Sequence, residues 1–468
     1  MVADIDPGRP FGVGRRTLLA AGLAMTGAGI PMRGWTREPM FDFPDSAALR
    51  RMIQPAIDAL GKAAQVEHLG QSANGKPIEM ISIGTGERSA LIVGAPHPNE
   101  PIGCLTVVEL VRRLARDPQF RERSGYRWHF IPAIDPDGLD LNAGWLQGPA
   151  TIANYMRHFF RPAFARQPEY AFPLDMPGYR FEAATPENLC WQRALAIARP
   201  DFQSSLHGSD TGGAFYILSE NRPGLARQLS RQTKRFGIAL NRLGEPDATI
   251  KSFAPGVFSA FEVEPYLAEA GRAGKDLRQF WGAGRSSTEF AAQTYGSFCM
   301  ICEVPLWEDS RQFSSRPSSC SEADVVRMQL DQLRKNARLL DRAAPLLARD
   351  PPDSESQALM LALREAAALS DSQLAAAEAQ FRTAETKRRE SLADLVQLEP
   401  GTTQMRAPAM LARLARRLGE HALAAAAEAL TAGYIGEYLR RSSLRPVPVA
   451  RSIALQIQSI ILSARQAG

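Results

Sequence analysis

The clearest hydrophobic pattern in the chain is a short apolar run at 90–93, which ends at Gly94 in a loop rich in Pro. A run of this length between turn residues is typical of a buried strand. Apolar residues at helical spacing follow from 105 to 114 and predict a helix. His97 and Glu100 therefore lie just past the carboxyl end of a predicted strand. Open α/β sheets place their ligand sites at that position.

Strand and helix patterns continue along the chain up to about residue 320. Strand patterns occupy 66–69, 78–83, 126–134, 202–206, 214–218 and 296–304, and helical patterns occupy 42–61, 188–198 and 225–238. A strand, a helix and a second strand in succession predict a βαβ unit with a parallel sheet. The segment 139–182 is long, aromatic and rich in Pro, with little periodicity. Loops of this length in a compact domain are usually functional.

Composition narrows the class of protein. The chain has 468 residues, 45% of them hydrophobic and 22% charged, which is typical of a soluble protein with room for more than one domain. The formal net charge is only +5 and the basic residues are scattered, so we expect no nucleic-acid partner. Five Cys in mostly apolar contexts argue against a disulfide framework, and Cys299 and Cys302 are expected to be buried thiols.

Ionisable residues recur where predicted strands end. His207 follows the strand pattern at 202–206, and Glu303 lies late in the pattern at 296–304. With His97 and Glu100 they offer two imidazoles and a carboxylate for a three-ligand zinc site, and a further carboxylate to take a proton from water. A lone His at a strand end is also a common structural residue. A Glu that closes an apolar strand, however, is costly to bury without a partner.

In this order the residues resemble the zinc carboxypeptidase (metallocarboxypeptidase, carboxypeptidase A-like) family. The family's His-x-x-Glu is commonly followed by Pro-x-Gly, as it is here after Glu100, and the turn at 135–138 is similar to the family's Asn-Pro-Asp-Gly. The resemblance covers about residues 42–345. It implies a three-layer α/β/α sandwich with a mixed, largely parallel sheet, to which this chain adds an all-helical C-terminal region.

The resemblance also implies a mechanism. One Zn²⁺ per chain would be bound by His97, Glu100 and His207, and Glu303 would act as general base on a zinc-bound water. The implied reaction is hydrolysis of a C-terminal peptide bond.

The substrate contacts depart from the family pattern. The family anchors the substrate carboxylate with an Asn-Arg pair, and the similar segment here has Arg157 in the Arg position but Met156 in place of the Asn. No Arg lies between residues 134 and 154, where the family's carbonyl-polarising Arg is expected. Arg157 is therefore the predicted anchor, and Arg161 is a candidate for either Arg. Asp137 is a candidate acceptor that orients an imidazole.

Two alternatives stay open. A zinc-dependent amidohydrolase or deacylase acting on an acylated amino acid would need the same carboxylate anchor. A catalytically silent module that binds zinc or peptide would need the ligands but not Glu303. The expected partner is a peptide or acyl-amino-acid substrate with a free carboxylate.

The sequence predicts three segments. Residues 1–35 form an N-terminal extension, and Arg15 and Arg16 before an apolar run in it resemble a twin-arginine export signal. Residues 36–348 form the zinc carboxypeptidase-like catalytic domain. Residues 354–468 form the helical region, in which three helices are expected. Export to the periplasm or outside the cell is the expected location, with the cytoplasm as the alternative and no integral membrane segment.

Overall fold

A computed structural model describes residues 39–244, 249–386 and 389–467. The extension at 1–35 lies outside the described residues, so the twin-arginine signal and the location of the protein stay predictions. None of the helices in the described ranges could span a lipid bilayer.

The described residues form fifteen strands and seventeen α-helices. The strands are β1 (Ala64–Gln71), β2 (Pro77–Ile83), β3 (Arg88–Gly94), β4 (Tyr126–Ile131), β5 (Leu174–Met176), β6 (Tyr179–Phe181), β7 (Phe202–Leu206), β8 (Phe215–Leu218), β9 (Ser252–Ala254), β10 (Val257–Ser259), β11 (Phe298–Glu303), β12 (Trp307–Asp309), β13 (Pro317–Ser321), β14 (Arg389–Ser391) and β15 (Leu444–Pro446).

The helices before residue 348 are α1 (Ser46–Leu60), α2 (Ile102–Arg116), α3 (Pro118–Arg123), α4 (Pro136–Leu141), α5 (Ala143–Leu146), α6 (Ile152–His158), α7 (Pro186–Ala198), α8 (Pro223–Arg235), α9 (Val263–Arg272), α10 (Leu277–Phe280), α11 (Ser287–Tyr295) and α12 (Glu322–Leu347). The later helices are α13 (Ser354–Thr383), α14 (Leu392–Leu398), α15 (Thr403–Arg417), α16 (His421–Arg441) and α17 (Val449–Ala464).

Nine strands form one mixed sheet in the order β1-β2-β4-β3-β7-β11-β8-β10-β9. The four central strands, β4, β3, β7 and β11, run parallel to one another. β1, β2, β8 and β9 each pair antiparallel to a neighbour. Because the central strands are parallel, their carboxyl ends meet at one edge of the sheet.

Helices cover both faces of the sheet, which explains the unbroken apolar run in β3. Side chains alternate between the faces of a strand. Ala90 and Ile92 join the core formed with α1, α2, α8 and α17, whereas Leu91 and Val93 join the core formed with α7 and α11. The fold class expected from the sequence, a three-layer sandwich with a mixed, largely parallel sheet and a helical C-terminal region, is confirmed.

Local differences from the expected elements have simple causes. β4 ends at Ile131 because Pro132 has no N–H to donate to the sheet. The segment 139–182 contains short helices and the β5–β6 hairpin, and these are too short to show a periodicity. The two strands expected at 66–69 and 78–83 form the antiparallel pair β1–β2.

The C-terminal region has five helices among the described residues instead of three, and it is not all-helical because it also contains the short strands β14 and β15. Two of the additional breaks follow ordinary signals: Gly419 adopts a positive φ of 74° between α15 and α16, and Pro448 precedes α17. The apolar side chains of α15, α16 and α17 belong to the same buried cluster as those of α1, α2 and the sheet. The region therefore completes the hydrophobic core on one face of the sheet.

Buried ion pairs join the C-terminal region to β12 and to the residues directly after it. The Glu399 carboxylate, 1% exposed, binds Arg311 Nη2 at 2.5 Å and Arg441 Nε at 2.9 Å. Arg311 also pairs with Asp309, which is fully buried. Removal of the Glu399 carboxylate would leave Arg441 without its carboxylate partner and Arg311 with Asp309 alone.

We expect Glu399→Ala to lower the free energy of unfolding by about 3–5 kcal/mol, because it leaves the partly buried Arg441 guanidinium group without a carboxylate and removes one of the two partners of Arg311. Urea denaturation measures this change. The matched control is Glu378→Ala, which breaks an exposed pair with Arg334 and should cost at most about 1 kcal/mol. Equal losses in the two variants would contradict the structural role of the Glu399 pairs.

Candidate metal and active site

The candidate site lies at the carboxyl edge of the central strands. His97 and Glu100 lie in the loop between β3 and α2, His207 directly follows β7, and Glu303 is the last residue of β11. Gly103 lets the start of α2 approach the end of β7, because a Cβ at this position would lie 2.7 Å from the Cβ of Leu206. This contact places the two loops side by side.

Three predicted ligands converge in the structure. Glu100 Oε2 lies 3.0 Å from His97 Nδ1 and 3.3 Å from His207 Nδ1. One ligand atom from each residue lies within 4.8 Å of the other two, and all three side chains are buried. In the described ranges these residues form the single group of three or more such side chains with metal-binding geometry.

Glu169 and Ser205 fix the orientation of the His207 ring through its Nε2 atom. Ser205 Oγ donates to Glu169 Oε2 at 2.7 Å, so it is placed to accept from His207 Nε2 at 3.0 Å. Glu169 Oε2 itself lies 3.4 Å from His207 Nε2, and Glu169 also accepts from Ser287 Oγ. A proton on Nε2 leaves the lone pair of Nδ1 directed at Glu100. In metal sites, an imidazole that binds the metal through one nitrogen usually donates its other ring N–H to an acceptor such as a carboxylate.

The electrostatics of the two imidazoles differ. Burial, together with the nearby Arg161 charge, lowers the pKa of His97 to about 4, so this ring is neutral. Burial also lowers the pKa of His207, but Glu100 and Glu169 outweigh it and raise that pKa well above its ordinary value. Burial raises the pKa of Glu100, whereas the nearby His97 and Arg161 and the hydrogen bond from His207 hold it well below its ordinary value.

These residues fit a divalent cation. His97 Nδ1, His207 Nδ1 and Glu100 form the two-imidazole, one-carboxylate set that zinc favours, with room for a further ligand. The carboxylates that favour a protonated His207 also favour a bound cation, which supplies the same compensating charge. The zinc role of the three residues stays a proposal that this geometry supports.

Glu303 lies next to the converging ligands. Its Oε1 is 3.5 Å from His207 Nδ1, and its side chain is 11% exposed. It lines a cavity of about 410 Å³ together with His97, Glu100 and His207. A carboxylate at this place can take a proton from a water in the cavity.

The two predicted Arg anchors have different environments. Arg157 is exposed on α6 and is not among the cavity-lining residues, so the structure does not bring it to the site. The family-based assignment fails here because helix α6 turns position 157 outward and packs Tyr155 and Met156 inward. Arg161 lines the cavity, and its Nη1 pairs with Glu100 Oε1 at 3.0 Å.

The prediction for Asp137 is wrong. Asp137 accepts from the backbone N–H of Asn74 at 2.8 Å and lies 3.3 Å from Lys76 Nζ, so it holds the β1–β2 turn. Glu169 occupies the position behind an imidazole instead. The sequence signal for Glu169 was the long segment at 139–182, which supplies both Glu169 and Arg161 to the site.

The sequence analysis also missed the wall that the C-terminal region contributes to the cavity. Seven residues between positions 396 and 406 line it, including Arg406 of α15. Arg406 Nη2 donates to Asp210 Oδ2 at 3.0 Å, and Tyr155 donates to Asp210 Oδ1 at 2.6 Å. No sequence spacing connects Arg406 with the strand ends, so only the packing of α15 reveals it.

Comparisons with known proteins agree with the motifs. Residues 51–158, which include His97 and Glu100, match the family described as zinc carboxypeptidase. The match confirms the resemblance predicted from the sequence, and it supports a hydrolase of the metallopeptidase class, in a family that is zinc-dependent. An uncharacterized protein of Zymomonas mobilis is 29% identical over 108 residues. That alignment covers 22% of this chain and 27% of the relative's length, so substrate and partners remain proposals.

The chain also has partial similarity to several solved structures. Similar chains include a metallo-carboxypeptidase from Burkholderia cenocepacia (18% identical, covering 57% of this chain and 61% of that chain, TM-score 0.34), carboxypeptidase A from Helicoverpa armigera (12%, 56% and 65%, TM-score 0.37) and a metallo-carboxypeptidase from Pseudomonas aeruginosa (20%, 57% and 61%, TM-score 0.34). These TM-scores are too low to establish a shared fold. The fold assignment therefore rests on the sheet described above.

We expect Glu169→Gln to weaken zinc affinity by about 10–100-fold, because the amide cannot supply the negative charge behind His207. Competition with a chromophoric zinc chelator measures this affinity. Glu182→Gln is the matched control, since Glu182 is 66% exposed and pairs with Arg180. Unchanged zinc affinity in Glu169→Gln would remove Glu169 from this role.

Proposed function

We propose that this chain is a zinc-dependent metallocarboxypeptidase that hydrolyses a C-terminal peptide bond. The observation that carries the proposal is the convergence of His97, Glu100 and His207 beside Glu303 in one cavity. Zinc at these ligands would supply Lewis acidity, which polarises a carbonyl and lowers the pKa of a bound water.

Glu303 moves the proton in this mechanism. Its carboxylate takes a proton from the attacking water, so that the water oxygen can form a bond to the scissile carbonyl carbon. When the C–N bond breaks, the same side chain returns the proton to the leaving nitrogen. The products are a shortened peptide and a free amino acid, and Glu303 ends in its starting state.

Arg161 and Arg406 are the candidate anchors for the substrate carboxylate. Both guanidinium groups line the cavity, and each already binds a carboxylate: Arg161 binds Glu100, and Arg406 binds Asp210. A guanidinium group has five N–H donors, so each can bind a second carboxylate oxygen without releasing the first. The predicted anchor Arg157 is replaced in this proposal because it is exposed away from the cavity.

The deacylase alternative uses the same groups. An acylated amino acid carries the same amide bond and free carboxylate as the end of a peptide, and a cavity of about 410 Å³ accommodates either. Parallel assays with blocked dipeptides and with acyl-amino acids distinguish the two by their ratio of kcat/KM. Zinc binding without hydrolysis of either substrate would instead support the silent binding module.

We expect Glu303→Gln to retain zinc and to lose at least about 100-fold in kcat, the usual scale for a proton-transfer group. Zinc content by metal analysis and kcat on a blocked dipeptide are the two measurements. Glu308→Gln serves as a control, because Glu308 lies five residues later and outside the cavity. Activity of Glu303→Gln near that of the wild type would exclude Glu303 as the general base.

We expect Arg406→Gln to lower kcat/KM about 10–100-fold on substrates with a free carboxylate, the worth of one charge-assisted hydrogen bond. The loss should be much smaller on the matching amidated substrates, so the carboxylate-to-amide ratio is the quantity to measure. Arg157→Gln should leave this ratio unchanged. A ratio that falls in Arg157→Gln but not in Arg406→Gln would return the anchor role to Arg157.

A further inference from the structure

A buried amide on the last helix contacts the backbone of the candidate site. Gln456 of α17 is fully buried. Its Nε2 donates to the backbone carbonyl of His207 at 2.8 Å and to that of Cys302 at 3.1 Å. Its Oε1 accepts from Thr106 Oγ1 at 2.6 Å.

These three contacts reach the three segments that supply the site. The His207 carbonyl belongs to a ligand residue, and Cys302 directly precedes Glu303 on β11. Thr106 lies in α2, the helix that begins two residues after Glu100. One side chain therefore links the end of β7, the end of β11 and the start of α2.

The chemistry of the amide fits this position. Glutamine has two N–H donors and a carbonyl oxygen that accepts, and here two backbone carbonyls accept from the donors while one hydroxyl donates to the oxygen. The two backbone carbonyls can only accept, so they set which end of the amide faces the strand ends, and the Thr106 hydroxyl donates to the amide oxygen at the other end. No apolar side chain of the same size can make these bonds, and buried carbonyls need partners.

We propose that Gln456 is a positioning residue for the metal site. It fixes the spacing between His207, Glu303 and the loop that carries His97 and Glu100, although it is not among the residues that line the cavity. The role of Gln456 rests on the proposed function in one respect: the metal is taken to be zinc. Sites of this kind tolerate displacements of only about 0.5 Å, so loss of the link should appear as weaker metal binding.

The test is Gln456→Met, which keeps the volume of the side chain and removes its hydrogen bonds. We expect zinc affinity, measured on the full chain by chelator competition, to fall about 10-fold or more, as it does when groups that orient metal ligands are lost. Peptides covering 202–209 and 298–305 should also exchange amide hydrogens faster. This second measurement does not depend on zinc or on hydrolysis.

Gln458→Met is the matched control. Gln458 is buried on the same helix and lines a different cavity with Arg88 and Trp128. It should leave zinc affinity within about twofold of the wild type, whatever it does to stability. A Gln456→Met variant that behaves like Gln458→Met in both measurements would reduce Gln456 to a packing residue and overturn the proposal.

Thr106→Val removes the hydrogen bond between α2 and Gln456 without changing Gln456 itself. It keeps the proposal testable if Gln456→Met fails to fold. Without the hydroxyl, the amide loses its hydrogen bond to α2, so zinc affinity should fall by a part of the Gln456→Met loss. The two changes together should cost less than the sum of their separate effects, because they break one connected network. Unchanged affinity and exchange in Thr106→Val would also overturn the proposal.

The two proposals fail in different ways. A wild-type chain that binds zinc but hydrolyses no blocked peptide or acyl-amino acid refutes the proposed function, and zinc affinity still decides the role of Gln456. A wild-type chain that binds no zinc refutes the metal assignment. In that case the exchange of the strand-end peptides decides whether Gln456 holds these segments.

Discussion

The site depends on one electrostatic constraint: three buried carboxylates lie close together around one imidazole. Glu100, Glu169 and Glu303 all lie within 3.5 Å of the His207 ring, and each is at least nine-tenths buried by residue exposure. Carboxylates in such a place are costly unless positive charge faces them. The arrangement therefore demands a cation at its centre, either a second proton on His207 or a metal. The surrounding structure keeps these charges from moving apart.

The α/β part of the chain and the helical C-terminal part both hold these charges in place. The α/β part supplies the ligands through the ends of β3, β7 and β11. The helical part supplies a cavity wall, the guanidinium group of Arg406 and the internal link from Gln456. Arg311, paired with Glu399, joins the two parts at another point. The C-terminal helices thus belong to the site as much as the strands do.

The sequence predicted the parts of the site that follow from local pattern. His97, Glu100, His207 and Glu303 could be found because each lies at the end of an apolar run, and parallel strands end at one edge. Glu169 and Arg406 could not be placed, since a loop without periodicity and a helix of ordinary composition give no information about what they face. Arg157 was misplaced for a related reason: a motif gives the order of residues, but only the packing of α6 decides which of them point inward.

The position of α17 has a consequence for how the molecule is made. Gln456 is 249 positions from His207 and 350 from Thr106. Contacts between such distant residues form late in folding, because long stretches of chain must be ordered before they are made. A chain still attached to the ribosome carries its metal-binding side chains long before it has the helix that joins them. The site therefore reaches its final shape only after α17 has been synthesised.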